Sequence, residues 1–270
     1  MKTPIHIPIS QLSKQIKSGK LSPVELAETF LDHLEKKGPR LNSVVTVTRS
    51  LALKQARKAE KEIDEGNYRG PLHGVPWGGK DLLATKGIPT TWGAEPFRNR
   101  VIDTDATAVT KLREAGAVLC AKLAMIEFAG GMGYRQPNAS LTGPPRNPWN
   151  PDMWTGGSSS GSGAAVAAGL VPFAIGSETW GSILSPANNC GVSGLRPTYG
   201  RVSRHGAMAL CWTLDKLGPL AQTADDCGII LEAIAGPDPL DPTTIQKTWR
   251  YNPRPPRRRP RIAVLRGVAD

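Results

Sequence analysis

The chain has 270 residues, of which 39% are hydrophobic, and a formal net charge of +11. That length and composition can bury the core of one large domain or two small ones, which excludes a disordered chain. No run approaches the roughly 18 consecutive apolar residues of a membrane helix, and the first residues lack the apolar stretch of a secretory signal, so we expect a soluble, cytoplasmic protein without a membrane partner.

The first half of the chain alternates helical and strand patterns. Ser22 is a capping residue followed by Pro23 at the first helical position and Glu25 at the third, which predicts a helix to about Lys36. Short buried strands are predicted at 44–48 and 118–122, and further helices at 50–65 and 105–115. Helices that alternate with short apolar strands predict an α/β layered sheet.

A serine-glycine segment occupies residues 156–163, with the sequence Gly-Gly-Ser-Ser-Ser-Gly-Ser-Gly. By composition alone it is typical of a flexible linker. An apolar, alanine-rich run at 164–171 follows it directly, however. The pair therefore predicts a packing segment.

About half of the excess positive charge lies near the end of the chain, in a stretch rich in proline. Its arginines are Arg250, Arg254, Arg257, Arg258, Arg259 and Arg261. Because proline makes such a stretch extended, we predict a solvated linker at 246–260 in preference to an RNA contact. Residues 1–245 are then the N-terminal part of a single domain. Residues 261–270 are predicted to begin a strand of a missing C-terminal part, with a natural edge strand as the alternative.

Cysteine and histidine are sparse and scattered. The four cysteines, at 120, 190, 211 and 227, have no paired spacing, and the four histidines lie far apart in sequence. We predict buried free thiols and expect no metal site and no cofactor.

Four segments carry the functional signal. They are Gly-Val-Pro-Trp-Gly-Gly-Lys-Asp at 74–81, the serine-glycine segment, Gly-Ser-Glu-Thr-Trp-Gly-Ser-Ile at 176–183, and Cys-Gly-Val-Ser-Gly-Leu-Arg-Pro-Thr-Tyr-Gly-Arg-Val-Ser at 190–203. In order and spacing they resemble the amidase signature family of serine hydrolases, from about Ser22 to Asp241. The resemblance implies an α/β/α layered sandwich with a central mixed β-sheet. We expect this sandwich to be incomplete at the C-terminus, because members of the family usually continue well beyond this length.

The resemblance also implies a catalytic triad and the reaction it serves. Ser182 matches the nucleophile that forms an acyl-enzyme while a carboxamide C–N bond is cleaved, Ser158 matches a proton relay preceded by a cis peptide bond, and Lys80 matches the base. The oxyanion hole corresponds to Thr179, Trp180, Gly181 and Ser182, with Gly157, Ser159 and Glu178 as supporting residues.

The physical case for a lysine base can be made separately. A serine hydroxyl is a poor nucleophile until a neighbouring base takes its proton, and no His/Asp arrangement is recognisable here. Lysine acts as a base near neutral pH only if burial or positive neighbours lower its pKa from about 10.4 towards 7 or 8. We therefore expect Lys80, which follows a glycine-rich turn, to be largely buried.

Three positions depart from the family pattern. Many members have aspartate where Glu178 stands, glycine where Trp180 stands and arginine where Leu184 stands. An acid–arginine pair common in the family is therefore not expected in its usual form, and Trp180 is expected to reshape the mouth of the site. These departures bear on substrate choice more than on chemistry.

Two competing motifs fit the sequence less well. The serine-glycine segment satisfies Gly-x-Ser-x-Gly, but a nucleophile elbow needs a strand before it, and the loop 147–152 stands there. No Gly-Lys-Ser/Thr closes a phosphate-binding loop.

Within the resemblance, a free-standing amidase acting on a small aliphatic or aryl amide is favoured. The alternatives are the glutamine-hydrolysing A subunit of a tRNA-dependent amidotransferase, the only case in which nucleic acid is expected nearby, and an inactive truncated relative. A half-sheet would expose an apolar edge, which allows a homo-oligomer.

Overall fold

The computed structural model describes residues 5–130, 136–254, 261 and 263. The helices are α1 (Ile9–Lys17), α2 (Pro23–Lys37), α3 (Arg49–Asp64), α4 (Thr107–Glu114), α5 (Ser160–Ala167), α6 (Leu184–Cys190) and α7 (Ala224–Ile234). The strands are β1 (Val44–Val47), β2 (Pro76–Lys80), β3 (Val118–Leu123), β4 (Phe173–Glu178), β5 (Ser193–Gly194) and β6 (Lys216–Ala221). The four predicted elements α2, β1, α3 and β3 are confirmed, and α4 begins two residues later than predicted.

The six strands form one sheet in the order β1-β3-β2-β4-β6-β5. The central strands β3, β2 and β4 are parallel, whereas β1, β6 and β5 each pair antiparallel with a neighbour. The predicted central mixed sheet is therefore confirmed.

Two hydrophobic clusters lie against the sheet. One joins α1, α4 and α7 to side chains such as Trp77 and Phe173, and the other joins α3 and α5 to Val118 and Ala174, while α2 contributes to both. Neighbouring residues of one strand, Phe173 and Ala174, belong to different clusters because successive side chains leave a strand on opposite faces. Helices thus cover both faces, as in the expected α/β/α sandwich.

The start of α2 follows the sequence signal. The Ser22 hydroxyl oxygen accepts hydrogen bonds from the backbone N–H groups of Val24 and Glu25, both at 3.1 Å. Strand β1 differs from expectation, because all four of its residues are only partly buried. It lies at one end of the sheet, so within the described part of the chain one of its edges has no neighbouring strand.

The serine-glycine segment is a packed element, as predicted. Helix α5 arises within it, and all eight helical residues are buried. Gly161 lets the helix approach β3 closely, since a Cβ atom there would lie 2.5 Å from the backbone nitrogen of Ala124. Its own N–H donates to the Ala124 carbonyl at 2.9 Å. A flexible linker would have none of this burial.

The part of the proline-rich stretch that is described, 246–254, has no helix or strand. Trp249 packs against the first hydrophobic cluster, and the Tyr251 hydroxyl donates to Asp225 at the start of α7. This part is therefore held against the domain. The remainder of the predicted linker and nearly all of the predicted strand at 261–270 lie outside the described residues.

The prediction of buried free thiols is correct for three cysteines and wrong for one. Cys120, Cys190 and Cys227 are buried, and burial raises the pKa of each thiol to about 12. Cys211 is only partly buried because it lies in the loop before β6. Among the residues described, no helix combines the length and the apolar character needed to cross a bilayer.

Candidate active site

Lys80 is the last residue of β2, in the middle of the sheet. The expectation of a glycine-rich turn before it is wrong, because Gly78 and Gly79 belong to the strand and pair with β3 and β4. The glycine at 78 is needed for packing, since a Cβ atom there would lie 2.5 Å from Leu123 Cδ1. Lys80 therefore leaves a rigid, central strand.

The Lys80 amine is enclosed by hydroxyl groups. Its Nζ atom lies 2.7 Å from Ser158 Oγ and 2.9 Å from Ser177 Oγ, and the residue is fully buried. Burial lowers the pKa of Lys80 to about 7, against the opposing influence of the Asp215 and Glu178 carboxylates. The expectation of a buried lysine with a lowered pKa is confirmed. Near neutral pH a large share of this amine is unprotonated and can accept a proton.

Ser158 and its neighbours form a tightly bonded segment. The Gly157–Ser158 peptide bond is cis, as the resemblance implies. The Ser158 carbonyl accepts from the Ile126 N–H at 3.1 Å, and the Ser159 N–H donates to the Ser182 carbonyl at 3.2 Å. The Ser159 hydroxyl also donates to the Ser177 carbonyl at 3.1 Å. The segment is thereby joined both to β4 and to the residue predicted as nucleophile.

The predicted oxyanion residues follow β4 directly. Gly181 has φ of +88°, a left-handed conformation that glycine adopts readily, and Ser182 is 3% exposed. Trp180 is 87% exposed. Its side chain therefore lies in solvent beside the loop and is not packed against the described residues, and its effect on the mouth of the site stays a prediction.

Glu178 stabilises the other end of this loop. It is fully buried, and its Oε2 atom accepts from the N–H groups of Ile183 at 2.7 Å and Leu184 at 2.9 Å, at the start of α6. Its Oε1 atom lies 3.4 Å from Nη1 of Arg196. An acid–arginine pair thus forms with Arg196, although Leu184 occupies the position where arginine is common.

Three further residues belong to this group but were missed from the sequence. Ser177 binds the Lys80 amine. Asp215 accepts a hydrogen bond from the Thr179 hydroxyl, and Lys216 Nζ donates to the Thr179 carbonyl at 3.0 Å. Ser177 stood within a recognised motif and could have been considered. Asp215 and Lys216 lie more than 30 residues further along the chain and gave no local signal.

A second buried lysine lies on the neighbouring strand. Lys122 of β3 pairs in register with Gly79, one position before Lys80, so the two lysine side chains leave the sheet on opposite faces. Lys122 Nζ lies 3.0 Å from Asp81 Oδ1 and 2.8 Å from Thr90 Oγ1. The second Asp81 oxygen accepts from the Thr91 N–H at 3.0 Å. The Asp81 carboxylate thus compensates the charge of Lys122, whereas the groups that bind Lys80 Nζ are uncharged hydroxyls.

A small cavity adjoins the group at Ser177 and Thr179. Much of its remaining lining is apolar: Ala129, Ala207, Met208, Ala209, Leu210, Trp212 and Leu217, together with Arg204 and Asp215. A larger cavity of about 650 Å³, beside Trp149, shares no residue with the group around Lys80. We place the site beside the smaller cavity because Ser177, which binds the Lys80 amine, and Thr179 line it.

Comparisons with known proteins agree on one family. The family model described as Amidase matches residues 25–269. The A subunit of glutamyl-tRNA(Gln) amidotransferase from Carboxydothermus hydrogenoformans is 44% identical over 239 residues, 88% of this chain and 49% of the relative. The chain thus spans about half the length of the curated relatives it matches.

Two solved structures illustrate the similarity in fold. The native peptide amidase from Stenotrophomonas maltophilia superposes with a TM-score of 0.83 and 37% identity, over 90% of this chain and 51% of that chain. The A subunit of glutamyl-tRNA(Gln) amidotransferase from Thermotoga maritima superposes with a TM-score of 0.74 and 33% identity, over 90% of this chain and 49% of that chain.

Proposed function

The chain belongs to the amidase family, and on that premise we propose that it cleaves a carboxamide C–N bond through an acyl-enzyme on Ser182. The observation that carries the proposal is the Lys80 amine, fully buried and 2.7 Å from the Ser158 hydroxyl oxygen. A lysine in that setting is a base, and the adjoining serines are the groups whose protons it can take.

The neutral amine suits a proton relay. Unprotonated, it has two N–H donors and one lone pair, so it can donate to the Ser177 hydroxyl while it accepts from the Ser158 hydroxyl. In the proposed mechanism Ser158 passes its proton to Lys80 and takes one from Ser182. The Ser182 Oγ atom then forms a bond to the carbonyl carbon, and the carbonyl oxygen becomes negative.

The loop 179–182 is proposed to stabilise that oxygen through backbone N–H groups, where loss of one donor typically costs about 2.7 to 4 kcal/mol. Collapse of the tetrahedral intermediate breaks the C–N bond, and the leaving nitrogen takes the proton back from Lys80 through Ser158. Water then attacks the acyl-enzyme with the same base and relay, which releases the carboxylic acid and restores Ser182.

A free-standing amidase acting on an uncharged aliphatic or aryl amide is the form of this proposal that we favour. The cavity beside Ser177 and Thr179 is lined mainly by carbon atoms, and its two charged residues are already engaged within the fold. Arg204 donates to the Tyr199 and Thr243 hydroxyl groups, and the Asp215 carboxylate accepts from Thr179 and Leu210.

The second candidate is the glutamine-hydrolysing A subunit of a tRNA-dependent amidotransferase. It is supported by the names of curated relatives at 44% identity. Glutamine brings an ammonium and a carboxylate, whereas the described residues around the cavity leave no charged group unengaged. Benzamide and glutamine, supplied separately with ammonia release as the readout, distinguish the two candidates.

Labelling with a fluorophosphonate tests the chemistry that both candidates share. We expect the probe to attach to Ser182, as located by peptide mass spectrometry, and Ser182→Ala to abolish labelling. Ser185→Ala, a change of a nearby serine outside the proposed triad, is the matched control and should still label. A wild-type protein that neither labels nor releases ammonia from any amide would indicate an inactive relative.

A further inference from the structure

Thr179, the first residue of the proposed oxyanion loop, is held at two points from a distant part of the chain. Its hydroxyl donates to the Asp215 carboxylate, and its carbonyl accepts from Lys216 Nζ at 3.0 Å. Asp215 and Lys216 are consecutive, immediately before and at the start of β6, which pairs with β4 along its whole length. The pairing of β6 with β4 therefore holds the two residues that contact Thr179 in place.

The lysine contact fixes an entire peptide plane. In a trans peptide the C=O and N–H bonds are coplanar and point in opposite directions. The peptide bond between Thr179 and Trp180 is trans, because Gly157–Ser158 is the only cis peptide bond among the described residues. By holding the Thr179 carbonyl, Lys216 sets the direction of the Trp180 N–H, one of the proposed oxyanion donors.

The Asp215 carboxylate is itself held in one orientation. One oxygen accepts from Thr179, and the other accepts from the N–H groups of Leu210 at 2.7 Å and Cys211 at 2.9 Å. Asp215 is 8% exposed. A buried carboxylate with both oxygens bonded has little freedom to rotate, so it can position a partner accurately.

The charge of Asp215 also acts on the Lys80 amine. The charged groups that act on the Lys80 amine are Asp215, from the start of β6, and Glu178, from the end of β4; both favour its protonated form. Ser158 and Ser177, its immediate contacts, are uncharged. The cations Lys216 and Arg196 are bound to the same loop, at Thr179 and Glu178.

We propose that Asp215 and Lys216 form a positioning clamp on the oxyanion loop, in which they hold the Thr179 hydroxyl and the Thr179 carbonyl. The clamp rests on the proposed function, because it acts through groups assigned there. Neither residue is catalytic in this account. Lys216 acts through the peptide plane of Thr179, and Asp215 acts through the Thr179 hydroxyl.

The test measures fluorophosphonate labelling of Ser182 at several probe concentrations and pH values. For Asp215→Asn and Lys216→Met we expect the maximal labelling rate to fall about 10- to 100-fold. A displaced N–H donor stabilises the oxyanion less well, and the negative charge on that oxygen develops in the transition state. The probe concentration at half-maximal rate should stay within about threefold. Asp215→Asn should also move the acidic limb of the rate profile to lower pH, whereas Lys216→Met should leave the limb in place.

Two matched controls lie outside the site. Asp238 is also 8% exposed and also accepts from a threonine hydroxyl, that of Thr107. Lys111 also donates to a backbone carbonyl, that of Ala235 at 3.0 Å. Asp238→Asn and Lys111→Met should lower thermal stability and leave both the labelling rate and its pH profile unchanged.

A milder variant covers the case in which Asp215→Asn fails to fold. Thr179→Val removes the hydroxyl that Asp215 holds and keeps the shape of the side chain, so we expect a fall of about 5- to 10-fold in the labelling rate, within the range for lost positioning contacts. Lys216→Arg, which keeps a donor, should recover much of the rate lost in Lys216→Met.

The outcomes separate the clamp from the function on which it rests. Wild-type protein that labels at Ser182, with Asp215→Asn, Lys216→Met and Thr179→Val labelling equally fast, would overturn the clamp and leave the function standing. The clamp would also be overturned if the two controls slowed labelling as much as these variants. Wild-type protein that does not label would overturn the proposed function, and the clamp with it.

Discussion

The two buried lysines of the central sheet occupy neighbouring strands and have opposite surroundings. Lys122 faces a carboxylate, with its Nζ atom 3.0 Å from Asp81 Oδ1, whereas the nearest partners of Lys80 are the hydroxyl groups of Ser158 and Ser177. Burial lowers the pKa of both amines, and at Lys122 the adjacent Asp81 opposes the shift more directly.

This contrast distinguishes a buried lysine that can act as a base from one with a structural role. Burial alone is common to both residues. A counter-ion at contact distance keeps a buried amine charged and gives it a structural role, while neutral hydroxyl partners let it lose its proton near pH 7. We therefore propose Lys80 as the base and expect variants of the two lysines to fail in different ways.

The largest expected effect is the loss of activity in Lys80→Met. Methionine fills a similar volume but cannot take a proton, so amide hydrolysis should fall at least about 10³-fold, as for other members of a catalytic group acting together. The measurement is ammonia release from benzamide under saturating conditions. Folded Lys122→Met protein should retain most of the activity; equal losses in both variants would remove the distinction between the lysines.

The next effect is on stability and has a defined pH dependence. The pKa of Lys80 is about 7 in the folded protein, against about 10.4 when unfolded. Between those values the unfolded chain binds more protons, so the free energy of unfolding of the wild type rises with pH, by at most about 5 kcal/mol. The free energy of unfolding of Lys80→Met should not show this rise with pH, because methionine does not titrate.

Lys80→Met should accordingly be more stable than the wild type at pH 7, and the gap should close as the pH approaches 10. Urea unfolding at pH 7, 8.5 and 10 measures the two curves. Curves that stay parallel over this range would mean that Lys80 has an ordinary pKa in the folded protein.

Lys122→Met should damage the fold itself. It leaves the Asp81 carboxylate buried without its cation, which typically costs about 3 to 5 kcal/mol. Urea unfolding at pH 7 should show this loss, and the double variant Asp81→Asn/Lys122→Met, which removes both charges, should recover most of it. A single variant as stable as the wild type would show that the pair contributes nothing to folding.

The smallest effect concerns the second carboxylate near the base. Glu178 raises the pKa of Lys80, after Asp215 in size, so Glu178→Gln should move the acidic limb of activity to lower pH, and by less than Asp215→Asn. Glu62→Gln, a change of a carboxylate on α3 outside the site, is the control. A limb that moves to higher pH in Glu178→Gln would contradict the electrostatic account.

The sequence predicted the central parts of the site because their motifs are local. Lys80, Ser158 and Ser182 each stand in a recognisable segment, and the structure brings Lys80 and Ser158 into contact. The clamp residues Asp215 and Lys216 could not be predicted in this way, because their role arises from the pairing of β6 with β4.

Individual strands were predicted from local pattern only where their composition is typical of a strand. Strands β1 and β3 are rich in branched or apolar residues and were found, whereas β2, with the sequence Pro-Trp-Gly-Gly-Lys, and β6, with Lys-Leu-Gly-Pro-Leu-Ala, were not assigned. Glycine and proline are depleted in strands, so a local pattern argues against both. They are strands because their neighbours in the sheet hold them extended, which is tertiary information.

The role of Lys80 as the base is tested most sharply by the pH dependence of fluorophosphonate labelling at Ser182, in wild-type protein and in Lys80→Met. With Lys80 as the base, the wild-type rate should rise with pH through a midpoint near 7, which is the pKa of Lys80. The variant should label at least about 10³-fold more slowly and without that inflection. A variant that keeps both the wild-type rate and the midpoint near 7 would show that another group is the base.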